Sequence, residues 1–113
     1  MNEKEYIESI PMLAKKKNSL SEVKKNIEIL GIKLPKVIHV AGTNGKGSVC
    51  AYLSNILIEN HMKVGTFISP HLIEVNERIL LDMIPISDPE LESISKYVRE
   101  KLSDKGTAPT YFE

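Results

Sequence analysis

The chain has 113 residues, 42% of them hydrophobic and 27% charged, which suits one modest domain of ordinary globular composition. Lysine plus arginine and aspartate plus glutamate both count 15, with no tryptophan and 5% aromatic residues, so neither a basic field for nucleic acid nor a stacking platform for single strands is present. Cys50 is the only cysteine, which excludes an internal disulfide and suits a reducing cytoplasm, and no window approaches the roughly 18 apolar residues of a membrane helix or the core of a signal peptide.

Residues 1–36 carry eight basic and five acidic groups, and the remainder seven and ten. The basic run at 15–17 reads as a solvated helix face. A first helix is predicted over residues 3–17, with Tyr6, Ile7, Ile10, Leu13 and Ala14 on one side and Pro11 as its weak point. A second follows in "NSLSEVKKNIEILG", capped by Ser19 or Ser21, striped by Val23, Ile27 and Leu30, and stopped by Gly31. "VIHV", residues 37–40, reads as a buried strand. A helix from about residues 45–48 to 60 then buries Val49, Leu53, Ile56 and Leu57, and "VGTFIS" forms the next strand, ending at Ser69-Pro70.

Strand, helix and strand in that order predict a parallel right-handed βαβ unit. "IEVNERILLDMIPIS" predicts a hairpin turning near Asp82-Met83. The last helix starts with Ser87 and Glu90 at capping-box spacing and Pro89 in its first turn, and Gly106 ends it. Three segments follow: a helical lead-in at 1–36, a βαβ unit at 37–69, and a hairpin, helix and further segment at 70–113. Two clear strands are few for a parallel sheet, so the 113 residues read as the opening of a larger α/β domain. On their own they are expected to expose sheet edge and self-associate.

"HVAGTNGKGS", residues 39–48, lies where that strand meets that helix. A triphosphate needs many donors and positive potential with no side chains in the way. Glycines let successive backbone N–H groups point inward as a nest, and a helix beginning there adds unpaired N–H groups and the positive end of its dipole. Lys46 can reach the outer phosphates, and the Ser48 hydroxyl can join the phosphate or metal shell. The common phosphate-loop pattern, G-x-x-x-x-G-K-[ST], is not met. Val40 stands at the first glycine, Gly47 follows the lysine, and the hydroxyl comes one place late. A glycine-rich turn that merely packs the helix closely is the plain alternative.

"HVAGTNGKGS", followed about twenty residues on by "SPHLIEVNERI", resembles the folylpolyglutamate synthase and dihydrofolate synthase family, which belongs with the Mur ligases. The upstream "SEVKKNIEILGI", the "PISD" that opens a helix, and terminal "TYFE" resemble further segments of it, so the resemblance spans nearly the whole chain. Mur ligases proper usually lack the extra glycine, and Gly47 favours the folate branch. The fold implied is a Mur-ligase-like α/β domain, a P-loop-containing parallel sheet flanked by helices, incomplete in this chain. The resemblance assigns Thr43, Asn44, Gly45, Lys46, Gly47 and Ser48 to ATP, with Lys46 catalytic. Ser69 becomes a Mg²⁺ ligand, and Thr110, Tyr111, Phe112 and Glu113 lie near the pterin end of the substrate. The reaction implied is ATP-dependent amide formation between L-glutamate and dihydropteroate or folate through an acyl phosphate. The remaining metal ligands and a glutamate-binding C-terminal domain are expected downstream, so these residues alone should not turn over. A different P-loop enzyme, such as a small-molecule kinase, and a non-catalytic nucleotide-binding piece are the competing readings. A kinase would want a standard G-K-[ST] and an arginine-rich lid, and only Arg78 and Arg99 exist.

Other polar residues carry weaker signals. His39 reads as a buried strand histidine, His61 as a surface residue at a helix end, and Cys50 as a small buried side chain. His71, at the carboxyl end of the second strand, is a substrate-binding candidate. Glu74, Glu77 and Arg78 read as a solvated face, with substrate-loop contacts as the alternative. No spacing suits a zinc site.

Overall fold

The computed structural model describes residues 1–11 and 20–111. They fall into two compact units, residues 1–35 with 89–113 and residues 36–88. The outer part of the first predicted helix, the Ser19 cap, and the candidate residues Phe112 and Glu113 lie outside the described residues.

In the first unit, α1 spans Glu3–Ser9, because a capping box opens it and a proline stops it. Asn2 Oδ1 accepts from the Glu5 N–H at 2.8 Å, and the Glu5 carboxylate accepts from the Asn2 N–H at 3.0 Å. Ile10, with φ −72° and ψ 125°, takes the extended shape that a following proline imposes. The predicted helix over 3–17 is therefore not continuous, since α1 ends at Ser9. α2 spans Leu20–Leu30, with Ser21 inside it rather than capping it. Its end is a Schellman turn: the Gly31 N–H donates to Glu28 O and the Ile32 N–H to Ile27 O. α4 spans Asp88–Asp104, starting directly after Ser87, and closes in the same way through Gly106 and Thr107.

α1 is pinned to α4 by one buried carboxylate. Glu3 is 4% exposed; its side chain pairs with Arg99 and accepts from Ser95 Oγ, while its N–H donates to the Glu92 carboxylate. Arg99 also lies over the Tyr6 ring, 4.7 Å from its centroid. Leu91 and Leu102 supply the buried apolar side chains of α4.

The second unit holds α3, Lys46–Glu59, and an antiparallel sheet of β1 (Gly65–Phe67), β2 (Ile79–Leu81) and β3 (Ile84–Pro85) in that order. Thr66 sits opposite Leu80, and Leu81 opposite Ile84. The predicted hairpin is present: Asp82 and Met83 both have positive φ, +50° and +64°, the hand that a tight two-residue turn needs. A 3-10 turn, Val75–Arg78, leads into β2. Val75, Leu80 and Ile86 are the buried apolar side chains of this unit.

Three expectations change here. Residues 37–40 form no ladder among the described residues, and Val37 and Ile38 are 73% and 64% exposed. A β-branched run has strand propensity, but it becomes strand only where a neighbour supplies hydrogen bonds. The strand that follows α3 pairs with β2 instead, in antiparallel sense, so the parallel βαβ pairing is not formed. The face of α3 is also turned from the predicted one. Val49 and Ile56 are exposed, whereas Ser54 is buried and its hydroxyl meets that of Thr66 at 2.7 Å.

Candidate nucleotide site

The glycine loop is open to solvent from Ala41 to Val49. Gly45 is the N-cap of α3, with φ +78° and ψ 5°, a left-handed conformation that glycine adopts freely. It offers no side chain to the helix start. The first backbone bond here runs from the Val49 N–H to Gly45 O at 3.0 Å, so the amides of Lys46, Gly47 and Ser48 precede the helix's own ladder. The first turn also lacks an acidic residue, which leaves the positive end of the dipole uncompensated. Together these leave an exposed helix start rich in donors, which suits an anion.

Lys46 Nζ donates to Gly42 O at 2.6 Å. The ammonium has three donors, so this contact holds the chain over its own loop and leaves two for a ligand. Gly42 has φ +154°. Thr43 and Asn44 form the bend between the two glycines, and Ser48 stands in the first turn of α3. The six candidate residues, Thr43 to Ser48, thus lie on one continuous rim.

Beyond β1 the chain makes a loop closed at its neck by the Ile68 N–H donating to Arg78 O at 3.0 Å. Ser69 is exposed at its start, and the Ser69-Pro70 peptide is cis. Arg78 is 5% exposed, and its Nε–H donates to His71 Nδ1 at 2.7 Å. A guanidinium only donates, so Nδ1 acts as the acceptor. Glu77 accepts three backbone N–H bonds, from Leu72 at 3.0 Å, Ile73 at 2.9 Å and Glu74 at 2.5 Å. The Glu74 N–H first, then those of Leu72 and Ile73, hold the Glu77 carboxyl below its ordinary 4.5. Reading Glu77 and Arg78 as a solvated face missed this. Glu77 follows Glu74 at capping-box spacing, a signal that the alternating apolar residues masked.

The remaining candidates fall elsewhere. Thr110 and Tyr111 belong to the other compact unit. His39 is exposed rather than buried, consistent with the unpaired segment around it, and Cys50 is half-buried. His61 is exposed as predicted and closes α3 with φ +60°. Among the described residues no three His, Cys, Asp or Glu side chains gather to hold a metal ion. Ser69 can offer one hydroxyl oxygen, less than the oxygen set that Mg²⁺ requires. No helix among the described residues is long and apolar enough to cross a membrane.

No protein-family profile matches the chain. It is 39% identical over 105 residues to a folylpolyglutamate synthase of Arabidopsis thaliana, an alignment covering 86% of this chain and 17% of that protein. A solved complex of FPGS with AMPPCP and folate superposes with a TM-score of 0.82 at 34% identity, over 99% of this chain and 30% of the other. The chain belongs to the folylpolyglutamate synthase/dihydrofolate synthase family. A dihydrofolate synthase/folylpolyglutamate synthase of Bacillus subtilis is 47% identical over 76 residues, 66% of this chain and 18% of that relative. The chain thus spans under a fifth of the length of these curated relatives. Its α/β, Mur-ligase-like fold class follows from the superposition, with a small antiparallel sheet as its visible part.

Proposed function

We propose that the protein to which these residues belong is an ATP-dependent acid–amino-acid ligase that joins L-glutamate to dihydropteroate, to folate, or to both. In this reading a substrate carboxylate oxygen attacks the γ-phosphorus of ATP, the bond to the bridging oxygen breaks, and ADP leaves. The amine of glutamate then attacks the acyl carbon, loses a proton, and expels phosphate as the amide forms. Such transfer needs positioning and charge neutralisation more than covalent help from the protein.

The observation that carries the reading is the exposed, donor-rich start of α3, with Gly45 as a side-chain-free cap and Lys46 bonded back to Gly42 O. Thr43, Asn44, Gly45, Gly47 and Ser48 would line the polyphosphate with backbone amides and hydroxyls, and Lys46 would neutralise the transferred group. Mg²⁺ would screen the phosphates, with the Ser69 hydroxyl as one ligand; the described residues do not complete its shell. His71 and the segment 110–113 are assigned to the pterin-bearing acceptor. We assign the 113 residues to the ATP-binding domain, with 1–36 as lead-in, 37–69 around the phosphate loop and 70–113 reaching the acceptor. The lone cysteine fits a cytoplasmic location.

The test is ADP release by the full-length protein, with each pteridine acceptor supplied alone and with glutamate. ADP release that requires both an acceptor and glutamate is expected. Release with an acceptor alone, at the same rate, would indicate a kinase and overturn the ligase reading.

A further inference from the structure

We draw no further inference here: the strongest candidate, the buried side-chain cluster of the 3-10 turn ahead of β2, where Asn76 Oδ1 meets no donor among the described residues and Arg78 holds His71, belongs to the loop already described, and nothing in the structure shows what ligand it would take.

Discussion

Gly45 and Gly47 stand two residues apart and are needed for different reasons. Gly45 takes φ +78°, which a β-carbon disfavours. Gly47 lies within α3, where an added β-carbon would meet nothing within 4 Å. The fold gives no reason for a glycine there, and helix propensity opposes it by about 0.5–1 kcal/mol. The bare surface is explained if a phosphate occupies it. Gly47→Ala is therefore expected to leave the unfolding midpoint unchanged or raised while weakening nucleotide binding about tenfold, read by thermal melting and equilibrium titration. Equal affinity would show that nothing approaches that backbone. At this scale the sequence was most legible where chemistry forbids substitutes. A lysine ringed by glycines has few uses, and residues 43–48 are exposed where they lead into α3. Glu77 and Arg78 were not legible in this way. Their partners, three backbone amides and a histidine nitrogen, are set by a loop shape that residue types do not encode.

Among the elements, the helices followed their local signals. Gly31 and Gly106 end α2 and α4, Pro11 cuts α1 short, and Asp88 opens α4 directly after Ser87. The hairpin was legible too, because Asp82-Met83 sits between two apolar runs. Asp82 also ties the turn back to β1, exchanging bonds with the Val64 backbone at 2.8 and 2.9 Å. Met83, at φ +64°, is the costly member of that turn. Replacing it by glycine should stabilise the hairpin by about 1 kcal/mol. This would appear as about fivefold slower exchange of the Ile86 amide, which donates to Ile79 O at 2.9 Å. Unchanged or faster exchange would place the strain elsewhere. Residues 37–40 were misread as paired strand because pairing is a non-local property: propensity names a candidate, and the neighbour decides. The inward face of α3 was misread for a related reason. Its composition is apolar nearly all round, so periodicity alone did not select the side that bears Ser54.

For the whole molecule, membership of the folylpolyglutamate synthase/dihydrofolate synthase family was legible from two short motifs in order. They encode the glycine loop ahead of α3 and the loop beyond the next strand. The core was less so, since few apolar side chains are buried among the described residues, while Val37, Ile38, Tyr52 and Phe67 remain 73%, 64%, 72% and 62% exposed. What the chain shares with the family is the fold, over 99% of its length. The central claim is narrower: the amides ahead of α3, with Lys46, hold a polyphosphate. It is tested most directly by equilibrium binding of AMPPCP to the full-length protein and to its Lys46→Ala variant, with melting curves of both. A charge-assisted bond to phosphate contributes about 1.5–3 kcal/mol, so binding should weaken about 10- to 150-fold with the melting midpoint unmoved. Equal affinity in the two proteins would contradict the claim.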